Sequence, residues 1–527
     1  MDFDVIVIGS GFGGAISACR LAEKGYKVLI LERGRKWDKD SYPREATDPW
    51  LWEYERPERN NGWLDLRIFP NMAVAQGAGV GGGSLIYANI SVEAPPAAFT
   101  QGWPQEITLA ELKPYYDAVK KFMNVRQMPA NQWNPRTHIM KEAADRVGAT
   151  ARFKMVEMAV TFDDQLNYDP ENPPDISQSK EVTNAQGVKQ GTCVHVGYCD
   201  IGCPVYAKNT LDLNYIPWAE KHGAQVRPLH LVTNIEPVTG GYRVSFDRLE
   251  NRRRISGSQT GRIVILAAGS LGSTELLLRC RDATGSLPNI SRFLGKNWSS
   301  NGDFLTPALY GNKKVSPGKG PTISSGIDFL DGSDNGHIYW VQDGGFPHLF
   351  GSFLTGGLGR VIKGLSAELL IKAIHDAVRQ VDPASNVMPW FSQGVDAGDG
   401  VLSLKRRFWI FGSRRLHLSW DVKRSRPVFE AIINRHKQLT EVTGGLPIIP
   451  PAWSLSQDLI TPHPLGGCNM GNTQAEGVVN HKGEVFGYKN LYVADGAVIP
   501  RALGVNPSRT IAAVAERVAK IIADEGR

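Results

Sequence analysis

Cysteine is scarce in this 527-residue chain, and its few thiols are scattered. The six positions are Cys19, Cys193, Cys199, Cys203, Cys280 and Cys468. So small a number in so long a chain excludes the disulfide framework on which small secreted domains depend. The sequence also has no run of 18 apolar residues, and we therefore expect no transmembrane helix.

The chain has little excess charge of either sign. Its net charge is +6, and no basic stripe interleaved with aromatic residues runs through it, so we expect no nucleic-acid partner. One local basic group consists of Lys405, Arg406, Arg407, Arg414 and Arg415. A solvated pair of strands is the favoured interpretation, and a transient contact with an anionic membrane surface is the alternative.

A leader sequence is not evident either. The first residues, MDFDVIVIGSG, contain no basic region, no cleavage site and no twin arginine before the first apolar strand. We therefore expect a cytoplasmic protein.

Glycine, in contrast, is abundant at 56 residues and occurs in clusters, which suggests tight turns near a ligand. The first cluster lies in DVIVIGSGFGGAISACRLAEKGYKVLILERG, residues 4–34. An apolar, β-branched run at residues 4–8 predicts a buried parallel strand. A glycine turn, an amphipathic helix to about Lys24 and a second strand, Lys27 to Leu31, follow it. This order is typical of a dinucleotide-binding unit.

Each residue of this motif has a physical role. Gly9 permits the tight turn, Gly11 lets the backbone approach a pyrophosphate, and Gly14 lets the helix pack closely on the sheet. The helix N-terminus faces the phosphates, and Glu32 accepts hydrogen bonds from a ribose diol. A second dense glycine loop, GAGVGGGSLIYANISV at 77–92, favours FAD over NAD, because the isoalloxazine of a flavin reaches a second, distant site, which NAD rarely requires.

These stretches resemble the glucose–methanol–choline (GMC) oxidoreductase family over nearly the full chain. The resemblance rests on both glycine loops, VILAAGSLGSTELLL, HPLGGC and NLYVADGAVIP…GVNPSRTI. Within that family the chain is most similar to the bacterial cholesterol oxidase branch. The resemblance implies an FAD-dependent oxidation of an alcohol to a ketone or aldehyde. Members that tether the flavin use a histidine in the second loop, and since this chain has none there, we expect non-covalent FAD.

The resemblance also implies an α/β fold with a discontinuous, Rossmann-like FAD-binding domain. An inserted α+β substrate domain is built on an antiparallel sheet. The FAD-binding domain is predicted to comprise residues 1–40, 72–100, 190–300 and 460–527. The substrate-binding domain is predicted to comprise residues 41–71, 101–189 and 301–459.

The motif match assigns two catalytic residues. His463, fixed by the flanking prolines and glycines of TPHPLGGC, matches the family's catalytic histidine, the base that removes the hydroxyl proton while hydride passes to flavin N5. Asn506 matches the second catalytic position, where an amide orients the alcohol or contacts the flavin edge. The remaining implied cofactor contacts are Gly79, Gly83, Tyr87, Asn89, Val232, Asp495, Gly496 and Pro507.

Two departures from the branch affect the substrate site. The glutamate with which the sterol branch moves a double bond falls in HIYWVQDGGFP, where Trp340 or Gln342 takes its place and Asp343 is the nearest acid. The resemblance therefore does not imply that this chain moves the double bond. Tyr87 stands where the branch has an asparagine, with Asn89 two residues further on.

Other features leave alternatives open. Cys193, Cys199 and Cys203, with His195 between them, fit structural thiols better than a metal site, and we expect no metal. In the long insert at 348–420, residues Leu369, Leu370, Ala373, Ile374 and Val378 predict one helix face. That insert, with the apolar FWIF at 408–411, is either ordinary core or a rim that admits an apolar substrate.

The sequence thus predicts oxidation of a bulky apolar alcohol such as a 3β-hydroxysteroid, with O₂ or another electron acceptor. A GMC enzyme for a non-sterol alcohol, a catalytically silent flavoprotein and an NAD(P)-dependent reductase are the alternatives.

Overall fold

The structure, a computed structural model, describes residues 1–44, 48–311, 313–346, 385–406 and 414–526. The strands of these residues are β1 (Phe3–Ile8), β2 (Val28–Leu31), β3 (Leu51–Trp52), β4 (Leu64–Phe69), β5 (Met72–Gly77), β6 (Phe153–Met155), β7 (Glu181–Thr183), β8 (Lys189–Gly191), β9 (Gln225–Arg227), β10 (His230–Val238), β11 (Gly241–Glu250), β12 (Arg253–Leu266), β13 (Phe304–Leu309), β14 (Ser325–Asp334), β15 (His337–Asp343), β16 (Val387–Gly394), β17 (Val401–Arg406), β18 (Arg414–Ser419), β19 (Leu446–Pro447), β20 (Leu459–Thr461) and β21 (Leu491–Val493). The α-helices are α1 (Phe12–Glu23), α2 (Leu109–Phe122), α3 (Pro135–Arg146), α4 (Tyr215–Lys221), α5 (Gly269–Arg279), α6 (Val422–Val442), α7 (Pro451–Ser456) and α8 (Ser508–Glu525).

The first sheet has the strand order β10-β11-β12-β1-β2-β9, and β21 also pairs with β12. Its centre is parallel: Val5 aligns with Ile263 of β12 on one side and with Val28 of β2 on the other. These strands are almost continuously apolar because helices cover parallel sheets on both faces. The prediction of a buried parallel strand followed by a helix is confirmed, and α1 packs against α4 and α8.

The second sheet has the order β19-β13-β16-β15-β14-β6, and all of its pairs are antiparallel. Helices α3 and α6 cover one face, where Tyr339 and Val341 join Trp390 and Phe429 in a separate apolar core. Because side chains alternate along a strand, the residues between them point the other way, and Trp340 belongs to the core of the first sheet. The face of β15 that carries Trp340 therefore packs against the core of the first sheet.

A third, four-stranded sheet, β20-β5-β4-β3, connects the histidine segment to the second glycine loop. Strand β20 ends just before His463, and its partner β5 leads directly into that loop. The predicted domain boundary between residues 71 and 72 falls within the hairpin formed by β4 and β5. The division into two domains stays a prediction.

The basic group lies partly on an antiparallel pair of strands, as the favoured interpretation predicted. Lys405 aligns with Arg415, and Arg406 with Arg414, across β17 and β18. Arg407, FWIF at 408–411 and the predicted helix face at Leu369–Val378 lie outside the described residues. Within the described part of the chain, no helix combines the length and apolarity needed to cross a membrane.

Candidate active site

The first glycine turn lies at the carboxyl end of β1. Gly9 has a φ of +95°, and a Cβ there would lie 2.5 Å from the carbonyl oxygen of Ala267. A Cβ on Gly14 would lie 2.0 Å from the carbonyl oxygen of Gly9, so neither position accepts a side chain. Helix α1 begins after Gly11 with no side-chain cap, which leaves its first amide groups available to an anion such as a pyrophosphate.

Glu32 lies at the end of β2, beside this turn. Its Oε2 accepts hydrogen bonds from the backbone N and Oγ of Ser10, at 3.0 and 2.7 Å, and its Oε1 accepts one from Gly34 N at 2.9 Å. The N–H of His230 donates to the Glu32 carbonyl oxygen, which brings the start of β10, with the buried Val232, to the same edge of the sheet. Glu32 therefore lies directly against the glycine turn, and Val232 lies on the strand hydrogen-bonded beside it.

The second glycine loop packs directly on the first. A Cβ on Gly82 would lie 2.5 Å from Gly11 Cα, and one on Gly79 would lie 2.5 Å from the Trp37 ring. A Cβ on Gly83, in contrast, would meet no atom within 4 Å, and this residue is exposed. The two loops, residues 9–14 and 77–83, therefore pack backbone against backbone and leave free space at Gly83; we call the two loops together the glycine cradle.

Tyr87 and Asn89 follow the second loop. The Tyr87 hydroxyl donates to the carbonyl oxygen of Asn209 at 2.8 Å, and its ring meets Phe12 edge-on at 5.5 Å between centroids. Asn89 is fully buried with a φ of +66°, and neither atom of its side-chain amide has a hydrogen-bond partner within the protein. Because buried amides are normally satisfied, Asn89 is a candidate ligand contact.

Asp495 is a buried carboxylate at the centre of a turn. It accepts hydrogen bonds from Ala497 N (2.8 Å), Gly269 N (2.8 Å) and Ser273 Oγ (2.6 Å). Burial raises the pKa of Asp495, and these donors oppose that effect. The carboxylate thus ties the segment that contains it to the N-terminus of α5.

Gly496 connects the cradle with the histidine turn. Its carbonyl oxygen accepts a hydrogen bond from Gly466 N at 2.9 Å, three residues beyond His463. On the other side of the segment, a Cβ on Gly13 would lie 2.0 Å from the carbonyl oxygen of Ala494. The segment 494–496 therefore lies between the first turn of α1 and the turn that carries His463.

Pro507 immediately precedes α8, whose first turn has no side-chain cap. The Ser508 hydroxyl donates to the carbonyl oxygen of Ile90 at 2.8 Å, and the Arg509 guanidinium donates to that of Ser91 at 3.2 Å. These bonds attach the positive end of the helix dipole to the residues that directly follow Asn89.

His463 and Asn506 lie side by side. Asn506 Nδ2 is 3.4 Å from His463 Nε2, and the other ring nitrogen, Nδ1, is 2.8 Å from Asp303 Oδ1. Thr461 fixes the histidine backbone, because its Oγ1 accepts a hydrogen bond from His463 N at 2.9 Å. The Phe391 ring lies 6.2 Å from the imidazole. The structure therefore brings together the two predicted catalytic residues and adds a carboxylate.

Sequence reasoning missed Asp303, and it also missed Asn301, two residues earlier. Asn301 is fully buried with a φ of +57°; its Oδ1 accepts hydrogen bonds from Leu503 N (2.9 Å) and Gly504 N (3.2 Å), and its Nδ2 donates to Val505 O (2.8 Å). The Asn-Gly pair in SSNGDF signals a tight turn, but no local pattern connects that turn with His463 or Asn506.

Burial raises the pKa of the Asp303 carboxyl, against the opposing effect of the His463 imidazole and the Thr461 hydroxyl next to it. The carboxyl has no exposed surface, and His463 is the titratable side chain that acts on it electrostatically among the described residues. The site therefore contains a buried acid paired with an imidazole that is 15% exposed.

The three predicted substrate contacts are Trp340, Gln342 and Asp343, and of these Gln342 lies next to the His463–Asn506 pair. Its Nε2 donates to Asn506 Oδ1 at 2.8 Å, and its Oε1 is buried without a partner. Trp340, on the same face of β15, donates its indole N–H to Gln393 Oε1.

Asp343 points to the opposite face of β15 and does not join the pair. Its carboxylate accepts hydrogen bonds from Ser324 N (2.8 Å) and Ser325 N (2.7 Å), near Arg136. Burial raises the pKa of Asp343, and Arg136 opposes this. The alternation of side chains along the strand explains why Gln342 and Asp343 face different cores.

The cysteine-rich run lies next to the second glycine loop, where Lys208 Nζ donates to the carbonyl oxygens of both Leu85 and Cys199. His195 contacts Gln132 Oε1 through Nε2 at 3.0 Å and packs on Tyr168, with 4.3 Å between ring centroids. Over the described ranges, no group of three or more His, Cys, Asp or Glu side chains has the arrangement of a metal site.

The residues present fit an FAD. An uncapped helix N-terminus and glycine positions that accept no side chain suit the phosphates, and an anchored glutamate suits the ribose. The unsatisfied amide of Asn89 offers a donor and an acceptor to a polar ring edge.

Comparison with known proteins agrees with these observations. The family model described as GMC oxidoreductase matches residues 438–515, and the one described as NAD(P)-binding Rossmann-like domain matches residues 7–37. A cholesterol oxidase of Acinetobacter baumannii is 31% identical over 99% of this chain and 94% of its own length. A cholesterol oxidase of Mycobacterium tuberculosis is 32% identical over 100% of this chain and 92% of its own length.

Among solved structures, pyridoxine 4-oxidase from Mesorbium loti superposes with a TM-score of 0.66 at 15% identity, covering 98% of this chain and 99% of that one. At this identity the likeness establishes the fold, which is the predicted α/β architecture. The full-length relatives above 30% identity establish more: this chain belongs to the GMC oxidoreductase family and is an FAD-dependent alcohol oxidoreductase.

Proposed function

We propose that this chain oxidises a bulky apolar secondary alcohol, with a 3β-hydroxysteroid as the first candidate, to the ketone. FAD, when bound, supplies the hydride acceptor at its N5 atom. His463 removes the hydroxyl proton through Nε2, and the Asn506 amide orients the alcohol oxygen. The two cholesterol oxidases that are similar over the full chain support the choice of a sterol.

The observation that carries the proposal is the pairing of His463 with Asn506. A base must lie within hydrogen-bond reach of the proton that it abstracts, and a second polar group must hold the same oxygen. Asn506 Nδ2 and His463 Nε2, 3.4 Å apart, provide a donor and an acceptor at neighbouring positions. The first turn of α8 follows Asn506 directly, and its positive end favours negative charge that develops beside it.

An apolar substrate is supported by the side chains around the pair. Phe391 packs near the His463 ring. The loop that leads to Asn506 passes Val395, Leu330 and Ile338, whose methyl groups lie 3.2–3.6 Å from the position that a Cβ on Gly504 would occupy. Removing these apolar groups from water lowers the free energy, and they interact favourably with a hydrocarbon skeleton.

Non-covalent FAD and the absence of double-bond migration are part of the proposal. The second glycine loop contains no histidine. Gln342, an amide, lies at the pair, while Asp343 points away and Asp303 is engaged by His463. We therefore expect the ketone to leave with its double bond unmoved.

The test is the anaerobic reduction of the bound flavin, followed by its absorbance. The alcohols are a 3β-hydroxysteroid, its 3α epimer and a long-chain primary alcohol. We expect rapid bleaching by the 3β-hydroxysteroid alone. Equal bleaching by all three would refute the sterol assignment but retain alcohol oxidation. Parallel assays with O₂ and with a dye identify the electron acceptor.

The base is tested with His463→Asn. We expect bleaching to slow by about 10²–10⁴-fold, the range typical of a lost general base. His222→Asn is the matched control, because His222 is exposed and contacts the backbone of its own helix. An unchanged rate in His463→Asn would remove His463 from the mechanism.

A further inference from the structure

The two nitrogens of His463 have different neighbours, and this difference fixes where the ring carries its proton. Nδ1 faces both oxygens of Asp303, at 2.8 and 3.0 Å. An ionised carboxylate only accepts hydrogen bonds, so Nδ1 carries the hydrogen and, in the neutral ring, Nε2 has a free lone pair.

We propose that Asp303 is a positioning residue that holds His463 in the tautomer with a free Nε2 and stabilises the positive charge that the ring acquires on taking a proton. This inference rests on the proposed role of His463 as base. The proton passes from the alcohol oxygen to Nε2, Nδ1 keeps its own proton, and Asp303 remains ionised.

The same carboxylate also sets the direction of the hydrogen bonds beyond the imidazole. Because Nε2 is an acceptor, the group of Asn506 that faces it must be the donor Nδ2. Asn506 Oδ1 is then turned towards Gln342 Nε2, 2.8 Å away, and Gln342 Oε1 is left without a partner. One carboxylate thereby orients three side chains in turn.

A purely structural role explains Asp303 poorly. A fully buried carboxylate costs free energy unless a cation or several donors compensate it. Among the described residues, no lysine or arginine forms an ion pair with Asp303; the imidazole and the Thr461 hydroxyl hydrogen-bond to it, and the nearby Gln393 amide also lowers its pKa. A buried acid whose titratable partner is an imidazole next to the substrate side of the site is typical of a functional pair.

The test compares Asp303→Asn with Asp343→Asn. Asp343 is a matched control, because it is also a fully buried aspartate and its carboxylate accepts hydrogen bonds from Ser324 N and Ser325 N on the opposite face of β15, away from His463. For Asp303→Asn we expect flavin reduction at saturating alcohol to slow by about 10²–10⁴-fold, with unchanged FAD content and unchanged apparent alcohol affinity. The pH at which the rate is half maximal should also shift, whereas Asp343→Asn should shift neither quantity.

A second readout does not depend on activity. In protein labelled with ¹⁵N at histidine only, the His463 signals are assigned by their loss in His463→Asn. We expect a protonated Nδ1 and a bare Nε2 in the unmodified protein, and a mixture of tautomers in Asp303→Asn. A bare Nδ1 in the unmodified protein, or full-rate flavin reduction in Asp303→Asn, would overturn the inference.

The two readouts separate the possible failures. If no alcohol reduces the flavin, the proposed function fails, while the nitrogen signals still decide the role of Asp303. If Asp303→Asn does not fold, the tautomer of the unmodified protein decides it alone.

Discussion

Replacing Asn301 tests how the loop before Asn506 is held in place. Its side chain makes three hydrogen bonds to the backbone of residues 503–505. Its φ of +57° is accessible to glycine, so Asn301→Gly removes the side chain without forcing the backbone into a new conformation.

The size of the effect follows from the groups left behind. Two buried N–H donors and one carbonyl acceptor lose their partner, and each such loss costs about 1–3 kcal/mol. Glycine adds about 0.5–1 kcal/mol, because the unfolded chain gains freedom. With some relief from water entering the space, we expect destabilisation by about 3–6 kcal/mol. We also expect flavin reduction to slow by about 10²-fold, since a displacement of Asn506 by about 1 Å has that effect.

Two measurements check this prediction. Chemical denaturation is followed by tryptophan fluorescence and by flavin release, and flavin reduction is measured at saturating alcohol. Asn335→Gly is the control, because Asn335 has a similar φ of +52° but lies exposed in the hairpin between β14 and β15. If the two variants lose the same stability and keep the same rate, Asn301 does not hold the loop and this reasoning is wrong.

Three further predictions concern other parts of the molecule. Burial lowers the pKa of His436 to about 3 from an ordinary 6.5. Below pH 6.5 His436 is therefore protonated in the unfolded chain but stays neutral in the folded protein. The free energy of unfolding falls as the pH drops towards 3, by about 1.4 kcal/mol per pH unit from this group. When unfolding is measured as a function of pH, His436→Gln should lose less stability in acid than the unmodified protein. Gly83→Leu should keep the far-ultraviolet circular dichroism but retain less FAD after desalting, because its side chain would enter the open side of the cradle; full FAD retention would place the cofactor elsewhere. If the basic group on β17 and β18 contacts anionic lipid, the double variant Lys405→Gln with Arg406→Gln should bind phosphatidylserine vesicles about 30-fold more weakly, at about 1 kcal/mol per charge. Equal sedimentation of the variant and the unmodified protein with these vesicles argues against such a contact.

Local patterns predicted the parts of the fold whose partners are close in sequence. The strand, glycine turn, helix and second strand at residues 3–31 were readable because each step depends on a few neighbouring residues. The start of α8 at Ser508 has a similarly local signal, since Pro507 precedes it and proline is favoured at the beginning of a helix.

The rest of the site depends on contacts that no local pattern encodes. Asp303 meets His463 across 160 residues, and Asn301 reaches Val505 across 204. The motif match named His463 and Asn506, together with the prolines and glycines around His463, but not the distant side chains that hydrogen-bond to them. Asp343 illustrates a different limit, because the sequence placed it near the site, whereas the phase of β15 directs it to the other face.

Asn301 and Asp303 belong to one turn at the start of β13. Asp303 hydrogen-bonds to the His463 imidazole, and Asn301 hydrogen-bonds to the loop that leads to Asn506. The base and the amide thus share one reference point, although 43 residues separate them in the chain. A substitution that displaces this turn should therefore disturb both reactive groups at once, whereas one elsewhere in β13 can leave their spacing intact.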